Sequence, residues 1–140
     1  MDKEWSQGHE AVASRGIGFE VRTVMHDGAG YKLISVEEAD KIMGSDSSVL
    51  LLDVRTTQEY EGDSGHLANS ILIPVQELER RVDELSPYKD KTIIAYCRTG
   101  NRSGRAASFL VRRGFSAMNM EGGIVKWNEL KLPVVHEKAP

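Results

Sequence analysis

A chain of 140 residues, 40% of them hydrophobic, has the size of one ordinary globular domain with a single core. Eighteen basic against twenty-one acidic side chains leave a net charge of -3, which excludes a general attraction to nucleic acid or anionic membrane and confines any anion binding to a local patch. No run approaches the ~20 apolar residues that span a bilayer, the start MDKEWSQGHE lacks the apolar core of a signal peptide, and one cysteine excludes an internal disulfide. The expected compartment is the cytoplasm, or the periplasm if a signal peptide has been removed. His9, His26, His66 and His136 show no zinc-type spacing with the cysteine, so no metal is expected.

Residues 1–30 are glycine-rich and weakly patterned. They are expected to form an N-terminal extension, partly disordered or adding an edge strand through the alternation in GFEVRTVM, Gly18 to Met25. A domain over residues 31–135 and a tail over 136–140 follow. In ISVEEADKIMG, Ser35 and Glu38 make a capping box for a short helix that Gly44 can stop in a left-handed conformation. SVLLLDVR is a continuous apolar run, too short for a core helix, which predicts a strand covered on both faces. ILIPV and KTIIAYC read the same way. Between them Leu78, Val82 and Leu85 fall at helical spacing in PVQELERRVDEL, with Pro74 ending the strand. SGRAASFLVRRG predicts a helix with Ser103 as N-cap, Gly114 as stop, and Ala106, Ala107, Phe109, Leu110 and Phe115 on the buried side. SAMNM is a last short strand and GGIVKWNEL a last short helix. The sum is an α/β domain, a mostly parallel central sheet with helices on both faces, whose ligand sites lie beyond the carboxyl ends of the strands.

The only cysteine, Cys97, falls at such an end, followed by Arg98, Thr99, Gly100, Asn101, Arg102 and Ser103. The amides between strand and helix have no ladder partner and can curl around the sulfur as a nest of donors, with Gly100 supplying the freedom to curl. The positive end of the next helix, Arg98 and Arg102 add to the same field, and all favour a negatively charged sulfur. A cysteine kept only for packing would sit inside the Ile-Ile-Ala run. From Cys97 to Arg113 there are five arginines and no acidic residue; Arg112 and Arg113 read as a solvated helix face, whereas Arg98 and Arg102 read as anion contacts. GNRSG is out of step with a nucleophile elbow, and GIGFEV and GAGYKL lack the third glycine of a dinucleotide loop, so no cofactor is expected.

These residues resemble a single-domain rhodanese, a thiosulfate sulfurtransferase-like domain. The resemblance runs from about Tyr31 to Pro133 through LLDVRTTQEY, GHL before ILIP, the loop CRTGNRS, and GRAASFLVRRGFSAMNMEGGIVKW ending at Trp127. It implies that the Cys97 thiolate attacks the outer sulfur of thiosulfate, that sulfite leaves, and that a Cys97 persulfide passes sulfur to cyanide or a thiol. The amides from Arg98 to Ser103 would stabilise the persulfide. Arg98 and Arg102 would hold the dianionic donor, Asp53 and Arg55 would brace the loop, and Glu59 and His66 would be supporting groups. The implied partners are a small thiosulfate-like donor, a thiol or cyanide acceptor and a sulfur-relay protein, without nucleic acid or membrane. Plainer roles stand beside these: Asp53 as a turn cap, Arg55 paired with Glu59 on the surface, His66 as a structural hydrogen-bonder, and Trp127 in the core.

Two departures from the family pattern stand out. EGDS lengthens the segment between Tyr60 and Gly65, and Ala68, Asn69 and Ser70 replace the usual proline-glycine-alanine. Two other functions compete: a sulfur carrier loaded by a partner desulfurase, and a cysteine phosphatase or arsenate reductase. The latter typically puts five residues between cysteine and arginine; here RTGN puts four between Cys97 and Arg102.

Overall fold

In the computed structural model, which describes residues 12–15, 20–26 and 29–140, the apolar runs lie side by side as parallel strands. The strands are β1 Val12–Arg15, β2 Glu20–His26, β3 Ala29–Ile34, β4 Leu50–Asp53, β5 Ile71–Leu72, β6 Thr92–Tyr96 and β7 Ser116–Met120. The helices are α1 Val36–Ser45, α2 Thr57–Tyr60, α3 Leu78–Arg81, α4 Asn101–Arg112 and α5 Gly123–Glu129. Among the described residues the sheet has the order β1-β2-β3-β7-β6-β4-β5. It is antiparallel from β1 to β3 and parallel from β3 through β5.

Each parallel strand sends alternate side chains into one of two buried clusters. Leu33, Leu50, Leu52, Ile93 and Ala117 meet Ala106, Ala107 and Leu110 of α4 together with Leu78, Val82 and Leu85. Ile34, Leu51, Ile94, Tyr96 and Met120 meet Val36 and Ala39 of α1 and Ile124 and Trp127 of α5. Both faces are therefore covered, which is why the strands read as continuous apolar runs. The indole of Trp127 is core, its Nε1 donating to the Pro133 carbonyl at 3.0 Å.

Several boundaries differ from expectation, each for a local reason. The edge strand expected at Gly18 to Met25 lies one place in, because β1 pairs along its outer side from Val12 opposite Thr23 to Arg15 opposite Glu20. Residues 1–11, 16–19 and 27–28, and with them the expected partial disorder, lie outside the described residues. The α1 capping box forms, with the Glu38 amide 3.0 Å from Ser35 Oγ and the Ser35 amide 2.7 Å from Glu38 Oε1. Gly44, however, stays inside α1. The chain leaves at extended Asp46, whose Oδ1 accepts the Ser48 amide and hydroxyl at 2.9 and 2.6 Å, so no left-handed stop is needed.

PVQELERRVDEL holds only one α-helical turn, α3, between 3-10 turns at Val75–Glu77 and Val82–Tyr88, the second containing Pro87. Leu78, Val82 and Leu85 are buried all the same, so the apolar spacing fixed burial but not helix length. Among the described residues no helix is long and apolar enough to cross a membrane.

Candidate active site

Cys97 follows Tyr96, the last residue of β6, and by strand alternation its side chain shares the face of Ile93, towards α4. Its residue exposure is 1%. The sulfur lies 3.1 Å from the Gly100 amide nitrogen, 3.4 Å from the Ser103 amide nitrogen and 3.4 Å from Ser103 Oγ. Sequence reasoning put Ser103 at the N-cap of α4, but Gly100 stands there and Ser103 is the third helical residue, fully buried. First-turn amides have no partner within a helix. At α4 the Cys97 sulfur takes two of these donors in place of a capping side chain.

The loop turns its amides inward because its carbonyls are satisfied elsewhere. The Cys97 and Arg98 carbonyls accept the Ile124 and Val125 amides of α5 at 3.0 and 3.1 Å. The Gly100 carbonyl accepts the Gly104 amide at 3.0 Å and Asn119 Nδ2 at 3.1 Å. Gly100 has φ +116°, open to glycine and strained for any other residue. Gly123 has φ +60°, and a Cβ there would fall inside contact distance of the Cys97 and Arg98 carbonyls.

Asn119 and Gly123 were not singled out from the sequence. The available signals were a lone polar residue in the apolar strand SAMNM and the tandem glycine behind it.

Around this loop the other expected residues fall into two groups. Arg98 and Thr99 are exposed, and Asn101 is half-buried in the first turn of α4. Arg102 does not point a free charge at the sulfur. Its Nη1 and Nη2 lie 2.8 and 2.9 Å from the two oxygens of Glu59, so Arg102, expected as a contact for the donor anion, ties α4 to α2 in this structure. Glu59 is held for this by its own helix cap, accepting the Thr56 amide and hydroxyl at 3.0 and 3.2 Å. The Arg102 bonds, helped by Thr56, lower the Glu59 carboxyl to about 2, and Glu59 in turn raises Arg102 above the ordinary guanidinium value.

Asp53 and Arg55 form a buried pair, with Arg55 Nη2 2.7 Å from Asp53 Oδ2 and Nε 3.0 Å from Oδ1. Burial opposes the Arg55 charge, but the Asp53 bonds outweigh it and hold the guanidinium above its ordinary value. The pair was expected to brace the cysteine loop. It instead donates from Arg55 Nη2 to the Gly65 carbonyl at 2.8 Å, and the guanidinium carbon lies 5.7 Å from the centroid of the Tyr96 ring. Asp53 lies beside Tyr96 in the sheet and shares the face of Leu51, opposite that of Cys97. The alternative pairing of Arg55 with Glu59 is likewise not what forms.

His66 is buried, its ring stacked on Tyr60 with centroids 3.5 Å apart and its Nδ1 donating to the Tyr60 carbonyl at 2.9 Å. Its backbone exchanges two hydrogen bonds with Val135, so it is a structural clasp for the C-terminal segment. In the altered turn, Asn69 adopts φ +66°, the conformation a glycine would supply, and Ser70 Oγ donates to the Leu67 carbonyl at 2.7 Å. The Tyr96 hydroxyl, raised well above the usual phenol value by burial and then by Asp53, accepts the Leu67 amide at 3.0 Å. Among the described residues no cluster of histidine, cysteine and acidic side chains is arranged to hold a metal ion.

The chain belongs to the rhodanese family: the model of the rhodanese-like domain matches residues 35–130. A sulfurtransferase of Allochromatium vinosum is 31% identical over 73% of this chain and 92% of its own length. The candidate sulfur carrier protein YrkF of Bacillus subtilis is 31% identical over 87% of this chain and 69% of its own. A tRNA uridine(34) hydroxylase of Hamiltonella defensa is 32% identical over 84% of this chain, which spans only 33% of that protein. The crystal structure of a rhodanese-related protein from Thermoplasma volcanium superposes with a TM-score of 0.67 at 36% identity, covering 74% of this chain and 97% of that one.

Two predictions follow from this geometry. Because Glu59 binds its proton less readily in the folded state than the ordinary carboxyl of the unfolded chain, the Glu59–Arg102 pair stabilises the fold fully above pH ~4.5 and loses its contribution as pH falls towards about 2. For a partly exposed pair screened by solvent that contribution is about 1 kcal/mol. The unfolding free energies of wild type and Glu59→Gln from urea titration should differ by this amount at pH 7 and converge near pH 2; a gap that persists in acid contradicts the pairing. Gly123→Ala should cost roughly 2–4 kcal/mol, through strained backbone and displaced loop carbonyls. A loss under ~0.5 kcal/mol would show that α5 does not rest on the loop as described.

Proposed function

We propose that the protein is a sulfurtransferase that carries sulfane sulfur as a persulfide on Cys97. The observation that supports this most directly is the placement of the thiol sulfur as the acceptor for the first-turn amides of α4, at 3.1 and 3.4 Å from the Gly100 and Ser103 nitrogens. In the reaction, a lone pair of the Cys97 thiolate forms a bond to the outer sulfur of thiosulfate. The donor's own S–S bond breaks, and its electron pair leaves with sulfite. Cyanide or an acceptor thiolate then attacks the terminal sulfur, forming thiocyanate or a new persulfide and returning the electron pair of the broken bond to Cys97. The Gly100 and Ser103 amides already face the sulfur before any sulfur is loaded, so their stabilisation of an anionic sulfur needs little reorganisation. Arg98, exposed beside Cys97 in the chain, steers the dianionic donor; Arg102, already matched by Glu59, has a lesser part.

A second reading, a sulfur carrier loaded by a partner protein, is favoured by the 1% exposure of Cys97 and by the neutralisation of Arg102, both of which disfavour capture of a free dianion. Oxyanion chemistry of the phosphatase kind is disfavoured by the same Glu59–Arg102 pair, since the guanidinium is committed to a carboxylate of this chain. Hydroxylase chemistry is not carried over from relatives of which this chain spans a third.

Intact-protein mass spectrometry after incubation with thiosulfate, and again after cyanide, decides between the two sulfur readings. Wild type should gain the mass of one sulfur atom and lose it to cyanide as thiocyanate, while Cys97→Ser, still folded, should gain nothing. Loading of Cys97→Ser would overturn the mechanism, and failure of reduced wild type to load would leave the partner-loaded carrier.

A further inference from the structure

Ser103 Oγ has one proton and two neighbours, Asn119 Oδ1 at 2.6 Å and Cys97 Sγ at 3.4 Å. The Gly100 carbonyl can only accept, so the group of Asn119 that meets it at 3.1 Å must be the donor Nδ2. That fixes the amide, and Oδ1, which can only accept, faces Ser103. Two oxygens 2.6 Å apart need a proton between them and Oδ1 has none to give, so the hydroxyl proton lies towards Asn119 and an oxygen lone pair faces the sulfur. Ser103, Asn119 and Cys97 are all buried, so within this network water does not compete for the proton.

We propose that Asn119 is a positioning residue that acts through Ser103: it holds the hydroxyl proton away from Cys97, leaving the sulfur's charge to the backbone amides alone. A hydrogen bond donated to an anionic sulfur stabilises the charge and lowers its nucleophilicity. For thiolates, rate follows basicity with a Brønsted slope of ~0.4–0.5, so a tenfold loss of basicity slows attack about threefold. Without Asn119 the Ser103 hydroxyl turns to the sulfur and imposes that loss. The inference rests on Cys97 as the nucleophile but not on the identity of the sulfur donor.

The test uses iodoacetamide, which alkylates the protein's single thiol whether or not thiosulfate loads it. Limiting rate constants are taken on the alkaline plateau, where every copy is thiolate, for wild type, Asn119→Ala, Ser103→Ala and the double variant. Asn119→Ala should be slowed about threefold or more relative to wild type. The same substitution should change the rate of Ser103→Ala less than about twofold, since no hydroxyl is left to redirect. Equal slowing in both backgrounds would make the role of Asn119 merely structural and overturn the proposal. Should Asn119→Ala fail to fold, proton NMR of reduced wild type gives the same decision. The Ser103 hydroxyl proton should exchange slowly and show a nuclear Overhauser contact to Asn119; a contact to the Cys97 methylene alone would contradict it. Thiosulfate loading that fails while this coupling holds would remove the sulfurtransferase reading and leave the inference standing.

Discussion

The structure turns on the orientation of a few peptide groups between β6 and α4. For amide nitrogens to face the Cys97 sulfur, the carbonyls of the same loop must face away, and buried carbonyls need partners of their own. The Ile124 and Val125 amides at the start of α5 supply two, and Asn119 Nδ2 supplies the third. Gly123 allows the backbone of α5 to come close enough, and Gly100 allows the chain to turn. The environment of the thiol is thus set by β7 and α5 as much as by the loop.

The parallel sheet separates two buried polar systems. On the α4 face lie Cys97, Ser103 and Asn119, whose contacts bear on the sulfur. On the opposite face Asp53, Arg55 and Tyr96 secure the turn at Gly65 and Leu67, and His66 clasps Val135 against it. Glu59 and Arg102 join the α2 and α4 turns. A buried ion pair such as Asp53–Arg55 gives little net stability on its own, but losing either partner would leave an uncompensated charge inside the protein.

Much of this was legible in the sequence because it depends on local pattern. The apolar runs of β4 and β6, the Ser35 capping box, Gly114 in its left-handed stop and the thiol at a strand end follow from near neighbours. What was missed depends on distance along the chain. Glu59 meets Arg102 from 43 positions away, and Ser103 meets Asn119 from 16. The reading of Ser103 as a cap failed because the cysteine took that role, and the reading of Asp53 and Arg55 as loop braces failed on which side of the sheet Asp53 faces. The assignment of the chain to the rhodanese family rested on the order of the motifs, and these longer contacts do not disturb it.

The most direct measurement is a crystal structure of the protein soaked with thiosulfate and rapidly frozen. One additional sulfur should appear bonded to Cys97 Sγ and turned into the loop, within hydrogen-bond distance of its amides. An additional sulfur turned away from those amides, or a loop that rearranges to accept it, would contradict a preorganised cradle.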